Sequence, residues 1–326
     1  MDTGTHFVMG IALGGIATLD PVLAQDPLTL QTVMIGTIIG SQAPDTDTIL
    51  KLRNNAHYIR NHRGITHSIP AVLLWPIVVT GCINIFFQDI NILHLWIWTF
   101  IAVILHVFVD IFNAYGTQAL RPFSRRWVAL GVINTFDPFI FFTHIVGIVI
   151  WQIGLDAGST FIGVFVVVSG YYVVKYRMKR AVTKSVKRII PDATEIIVSP
   201  TLRFNSWHVA VKSKQFFHVI RAVDGEIIVQ DTFDRHPIPH TPIIDAARKD
   251  VNLSAFLSFS PVYRWEAEEY EDHHEVRFID LRYRSKGYYP FVAVVLLDLD
   301  LNIVSSFTGW IFSEKKLRQK LELIPD

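Results

Sequence analysis

Apolar runs crowd the first 174 positions of this 326-residue chain, and they dictate most of what it can fold into. Four of them, at about 69–87, 93–112, 138–155 and 158–174, have the length and apolarity of membrane helices. In lipid only a helix or a closed barrel satisfies every backbone hydrogen bond, and unbroken apolarity is the helical pattern. Two earlier runs, 6–18 and 29–43, are shorter and rich in Gly and Thr. Gly10 with Gly14, and Gly36 with Gly40, are each four residues apart, a spacing that lets helices approach closely. They read as a tightly packed hairpin of short spans, with interfacial or re-entrant segments as the alternative.

Charge marks where the membrane part ends. Residues 1–174 hold seven Lys/Arg, nine Asp and no Glu, whereas 175–326 hold 23 Lys/Arg and 20 Asp/Glu. The expected fold is therefore a membrane α-helical bundle of about six spans, two of them short, over 1–175. A soluble α+β domain follows over 176–326. Lys175 to Arg188 is basic, with Val182, Val186 and Ile189 at helical spacing, as in a helix leaving the bilayer along an anionic leaflet. Strands are expected at 194–199, 206–212, 215–223, 226–232, 275–284, 291–298 and 303–311, with helices near 242–256 and 313–323. Asp224-Gly225 is a hairpin turn signal.

With six spans and the N-terminus inside, Lys51, Arg53, Arg60, Arg63, Arg121, Arg125 and Arg126 all fall in inner segments. The positive-inside rule thus selects a multi-pass plasma-membrane protein with both termini cytoplasmic. Trp75, Trp96, Trp98, Trp127 and Trp151 suit interface anchors. Phe7 to Ala17 has no positive stretch before it and does not read as a cleaved leader. The single cysteine, Cys82, lies in an apolar run and reads as a small hydrophobe. The net charge of +1 says nothing about nucleic acid, but no basic face interleaved with aromatics stands out, and no nucleic-acid partner is expected.

On that topology one set of polar residues collects near the cytoplasmic interface: His6, Asp45, Asp47, His62, His67, His106 and Asp110. Ionisable groups at a bundle edge are costly and mark a functional site by default. Imidazole mixed with carboxylate suits zinc, with manganese the alternative. His106 and Asp110 are four apart on a helix and share a face. Asp45-Thr46-Asp47 can ligate one ion or bridge two; alone it could equally be a capping turn. His62-Arg63-Gly64-Ile65-Thr66-His67-Ser68 puts two imidazoles around a glycine suited to a tight turn. In it Arg63 could hold a phosphate, and Thr66 and Ser68 could orient ligands. His6 shares the face of Gly10 and Gly14 and points into the bundle. Asp137 before Pro138 reads as a helix cap, and Asn113 could reach the site. His57, His94 and His144 read as packing or surface residues, and Asp272-His273-His274-Glu275 as a solvated turn.

Taken in order, His6, Pro44-Asp45-x-Asp47, His62-Arg63-Gly64-x-Thr66-His67-Ser68 and His106-x-x-x-Asp110 resemble the YdjM-like family of membrane-bound metal-dependent hydrolases. The resemblance covers residues 1 to about 175 and implies an inner-membrane enzyme. A more distant similarity links the pattern to zinc-dependent phospholipase C and its nuclease relatives, although residues 1–174 lack the Glu ligands some of those use.

The leading expectation is hydrolysis of a phosphoester, lipid or lipid-linked, at the cytoplasmic face, using one or more zinc ions. Asp47, Asp110 and Arg63 are the candidate catalytic groups. An ion transporter is the second reading. It is weakened because the outer side offers only Asp20, Asp26, Asp89 and Asp156, all in loops. A membrane scaffold or sensor with a structural metal is the third. The soluble half suggests no activity by itself.

Overall fold

The computed structural model describes residues 1–326 apart from 53–55, 57, 58, 60–62, 125 and 322–326, and for 50–52 the backbone alone. His57, His62, Arg53, Arg60 and Arg125 therefore lie outside the described residues. The chain divides into two compact units. One comprises Met1–Thr48, His62–Arg180 and Pro200–Phe204; the other comprises Ile49–Asn61, Ala181–Ser199 and Asn205–Asp326.

The first unit is helical: α1 (Thr3–Ile16), α2 (Pro27–Gly40), α3 (Ile69–Phe86), α4 (Ile92–Asp110), α5 (Pro138–Gln152) and the start of α6 (Ala157–Ile189). Their starts are written in the sequence. Asp2, Asp26, Ser68, Asn91 and Asp137 each accept a hydrogen bond from a first-turn N–H, and Pro27 and Pro138 follow where no donor is needed. Three helices, α3, α4 and α6, are long and apolar enough to cross a membrane. The others are apolar but shorter, at 14, 14 and 15 residues for α1, α2 and α5. The basic stretch after residue 174 continues α6 without a break to Ile189.

The small residues set the packing. A Cβ on Gly10 would lie 2.9 Å from the Ile38 Cα and the Thr37 carbonyl, so α1 and α2 touch backbone to backbone. Gly36 and Gly40 do not face α1. A Cβ on either would meet Thr99 of α4. The glycine pairs thus stack three helices, α1 on α2 and α2 on α4, rather than one hairpin. Asp137 caps α5 as its spacing predicts and also accepts from the Tyr171 hydroxyl at 2.8 Å.

The second unit holds two four-stranded sheets, β1-β2-β3-β4 and β5-β6-β7-β8. The strands are β1 (Glu195–Pro200), β2 (Ser206–Lys212), β3 (Phe216–Val223), β4 (Glu226–Asp234), β5 (Tyr263–Glu269), β6 (His274–Asp280), β7 (Phe291–Leu297) and β8 (Ile303–Trp310). The registered pairs are antiparallel, and Asp224-Gly225 turns β3 into β4 with both residues at positive φ. Strand β5 escaped the pattern because it is an edge strand rich in charge, Tyr-Arg-Trp-Glu-Ala-Glu-Glu, a composition that protects an open edge.

The helix expected over 242–256 is two helices, α7 (Pro242–Ala247) and α8 (Val251–Phe259). Asp250 interrupts them and caps the second by accepting from the Leu253 N–H at 2.8 Å. Phe256 of α8 stacks on Phe291 of β7 in the core of the second sheet. The last helix, α9, covers Glu314–Lys320. The turn reading of Asp272 to Glu275 fails at its end: Glu275 is buried in β6 and paired with Arg277 and Arg318.

Candidate metal centre

Four segments of the first unit deliver their polar residues to one point. Asp45 comes from the 3-10 segment Ala43–Leu52 after α2. His67 comes from the turn that ends at the Ser68 cap of α3. His106 and Asp110 come from the last turns of α4. One ligand atom from each of Asp45, His67, His106 and Asp110 lies within 4.8 Å of the others. His6 of α1 completes the wall, its ring stacked on His106 at 3.7 Å between centroids and its Nε2 3.3 Å from Asp110 Oδ1.

The spacing is that of ligands around one cation. His67 Nε2 and His106 Nε2 are 3.2 Å apart. Each Nε2 is 3.6 Å from Asp45 Oδ1, and they stand 3.4 and 3.6 Å from Asp110 Oδ2. Bonds of about 2.0–2.1 Å to a tetrahedral ion place ligands about 3.3 Å from one another.

Proton bookkeeping supports the same conclusion. His106 Nδ1 is 2.6 Å from the Ser41 carbonyl, which can only accept, so the proton sits on Nδ1 and the Nε2 lone pair faces the centre. The Thr66 hydroxyl donates to Asp47 Oδ2 at 2.6 Å and therefore accepts from His67 Nδ1 at 3.1 Å. His67 Nε2 then carries no proton and also turns its lone pair to the centre. Such hydrogen bonds behind the ring are the usual support of metal-binding imidazoles. His6 Nε2, Asp45 Oδ1 and Asp110 Oδ2 are all buried without a hydrogen-bond partner. Each such atom costs about 1–3 kcal/mol unless something else satisfies it.

Asp47 is not one of the four converging ligands. Its Oδ2 accepts from the Arg63 N–H at 2.8 Å as well as from Thr66, so it fixes the turn that carries His67. The left-handed residue in that turn is Arg63, with φ of 60°, rather than the neighbouring Gly64. The Arg63 guanidinium is buried. Its Nε stands 3.3 Å from Asp110 Oδ2, and an Nη donates to the Met1 carbonyl at 2.8 Å. The Met1 amino group lies against Asp110 Oδ1. Asn113 does reach Asp110, with Nδ2 3.4 Å from Oδ1, while its own Oδ1 accepts from the Tyr115 and Gly116 N–H groups.

Sequence reasoning missed two supports. The Ser41 carbonyl fixes the His106 tautomer, and Trp75 Nε1 donates to the Thr66 carbonyl at 3.1 Å. Neither carries a sequence signal, because one is backbone and the other is a lone aromatic in an apolar run. His94 is better connected than its sequence suggests: it pairs with Asp20 at 2.8 Å near the start of α4, and Trp98 donates to the same carboxylate. His144 is a packing residue, with Nδ1 on the Ile140 carbonyl and its ring edge-on to Phe165.

Three family models match successive parts of the chain. Residues 1–182 match the YdjM inner membrane protein family. Residues 191–233 match the YfhP middle domain, and 242–321 the YfhP C-terminal alpha/beta plait domain. The chain is 58% identical over 324 residues to the uncharacterized protein YfhP of Bacillus subtilis (strain 168), covering 99% of each. No solved structure matches it. A membrane-type helical unit with clustered His and Asp, matched over more than half the chain, gives the assignment: this protein belongs to the YdjM inner membrane protein family.

Proposed function

We propose that this protein is an integral-membrane, metal-dependent hydrolase that cleaves a phosphoester, lipid or lipid-linked, at the cytoplasmic face. The observation that carries this reading is the donor set. Two imidazoles and two carboxylates, with a third imidazole adjacent, converge where no cysteine is present. Structural zinc sites draw mainly on cysteine, whereas hydrolytic zinc is held by His with carboxylate. Zinc is the ion proposed, with manganese as the alternative. When bound it would act as a Lewis acid that makes water nucleophilic near neutral pH.

The protein's groups then divide the work. His67 and His106 present fixed lone pairs. Asp110 is held by Arg63, Asn113 and the Met1 amino group, and serves as an anionic anchor. Asp45 is the carboxylate of the four that reaches solvent, with 12% of its side chain exposed, and we assign it the proton released as water adds to phosphorus. That proton leaves on the ester oxygen as the P–O bond breaks. Asp47 acts through Thr66 to orient His67. The six-span topology, with the centre and both termini on the cytoplasmic side, is part of this proposal and rests on the lysines and arginines of the first 174 residues.

A second reading is favoured by one observation. His67, His106 and Asp110 are fully buried, and four protein ligands leave no open position, as in structural sites. On that reading the ion clamps α4 to the turns before and after its neighbours, and the soluble unit binds a partner. The deciding experiment is turnover of phosphoester and phospholipid substrates by the metal-loaded protein, beside Asp47→Ala and His67→Ala. Loss of hydrolysis in both with normal membrane insertion supports the enzyme. Bound metal without turnover on any phosphoester supports the clamp, and metal flux in proteoliposomes would indicate transport.

A further inference from the structure

One face of the first sheet changes character along its length. Strand β2 pairs with β3 so that Ala210 stands opposite Val219 and His208 opposite Arg221. Asp231 of β4 stands opposite Val219 from the other side. Side chains two apart on a strand share a face, so His208, Arg221 and Asp231 lie on one face with Ala210, Phe217 and Val219. The Phe217 end of that face is core, packed with Val262 and Leu281. The other end is polar. Arg284 and Tyr289, from the connection between β6 and β7, both donate to Asp231 Oδ2, Tyr289 at 2.7 Å.

This polar end holds more cation than anion. His208 and Arg221 are directly opposite on neighbouring strands, where like charges are unfavourable. The charges that act on the His208 ring are the Arg221 and Arg284 guanidinium groups, and with burial they hold its pKa below the usual imidazole value. The Asp231 carboxylate is taken up by Arg284 and Tyr289. Arg264 also acts on Asp231, but it pairs with Glu266. Arg221 Nε and His208 Nδ1 are both buried without a hydrogen-bond partner. The pair is within reach of solvent all the same: both residues are half-buried, and Ile228, opposite Arg221 on β4, is 47% exposed.

We propose that Arg221 and His208 bind a phosphate monoester, on a small molecule or a lipid headgroup, at this end of the sheet. The Arg221 fork takes oxygens of a tetrahedral anion, and His208 Nδ1 offers a donor beside it. Two guanidinium groups and an imidazole against one carboxylate call for more than a single negative charge. A phosphate monoester carries about −1.5 to −2 near neutral pH, whereas a carboxylate or a phosphodiester carries one. On the hydrolase reading the site would hold a product, since cleaving a phosphodiester leaves a monoester; binding itself does not rest on that reading, because all these groups belong to the second unit.

The test uses the full chain purified in detergent, with metal content measured on every sample. Glycerol 3-phosphate, short-chain phosphatidic acid and dimethyl phosphate are titrated separately by calorimetry. Wild type is expected to bind at least one of the two monoesters about tenfold or more tightly than the diester, and the tighter of the two identifies the source of the phosphate. Arg221→Gln is expected to lose about tenfold or more of that affinity, as loss of a charge-assisted hydrogen bond implies, with unchanged metal content. Arg221→Lys should lose less. Lys214→Gln, which removes an exposed cation between β2 and β3, should lose nothing. If Arg221→Gln does not fold, His208→Gln must show the loss instead.

Unchanged affinity in a folded Arg221→Gln or His208→Gln would overturn the proposal, as would a wild type that binds neither monoester. Equal affinity for dimethyl phosphate would overturn the monoester assignment. His67→Ala separates this site from the metal centre. Monoester binding kept in His67→Ala supports the site, whereas binding lost there and kept in Arg221→Gln assigns the phosphate to the metal and overturns it. Monoester binding that depends on Arg221, in a protein with neither metal nor turnover, sinks the hydrolase reading and leaves the phosphate site standing.

Discussion

His67 Nε2 and His106 Nε2 face each other at 3.2 Å, and the proton of each ring is already spent on the opposite nitrogen. Two lone pairs at that distance repel unless a cation or a shared proton lies between them. The Ser41 carbonyl and the Thr66 hydroxyl create this situation, and a metal ion would resolve it.

Metal content should follow Asp45, His67, His106 and Asp110. His67→Ala and His106→Ala are each expected to lose bound metal in elemental analysis of detergent-purified protein. Release should also occur on acidification, because protonated imidazole cannot ligate. Stoichiometric metal in the folded double variant would show that the ion sits elsewhere.

Thr66 tests the support behind the ring. Thr66→Val keeps the shape and removes the hydroxyl between Asp47 and His67. Metal affinity, read by competition with a chelator, is expected to fall about 10–100-fold. Thr66→Ser should restore most of it. A purely steric role for Thr66 predicts the opposite order.

Gly10 tests the packing that positions Ser41. An added Cβ would meet backbone of α2 at 2.9 Å and the Ser41 Oγ at 2.5 Å. Gly10→Ala is expected to cost about 1–3 kcal/mol and to lower the melting temperature in detergent. Gly81→Ala, where nothing lies within 4 Å of the new methyl, is the control and should be neutral. Equal behaviour of the two variants would remove the close contact of α1 and α2 from the account.

The second unit offers a pH prediction. Burial would raise the Asp231 carboxyl, but hydrogen bonds from Tyr289 and Arg284, and the Arg284 charge, lower it below the usual value. A depressed folded pKa adds stability above the unfolded value, and that stability disappears as pH falls through the folded one. Asp231→Asn should therefore melt lower than wild type at pH 7, with the gap closing below about pH 4. A gap that stays constant down to pH 3 would exclude the charge as its cause.

The sequence by itself determined the helices and most strands, because both follow from local pattern. Apolar length, a capping Asp, Asn or Ser, and Pro at the first turn place α1 to α5 within a few residues. Alternation or unbroken apolarity places every strand except β5, whose edge position trades apolarity for charge. Of the seven residues that the expected topology groups at one end of the bundle, the structure brings His6, Asp45, His67, His106 and Asp110 into contact range, while Asp47 turns to Arg63 and Thr66. His62 lies outside the described residues.

Tertiary structure decided the roles. Asp45 and Asp47 are equivalent as letters two apart. Only the path of the 3-10 segment turns Asp45 to the two imidazoles and Asp47 to the Arg63 N–H and Thr66. Arg63 reads as a phosphate ligand in the motif, yet its chain enters the turn left-handed and delivers the guanidinium to Asp110. Local periodicity fixes which face of an element a side chain occupies. Which atom it finally meets depends on how close the backbones come, and here Gly10, Gly36 and Gly40 set that distance.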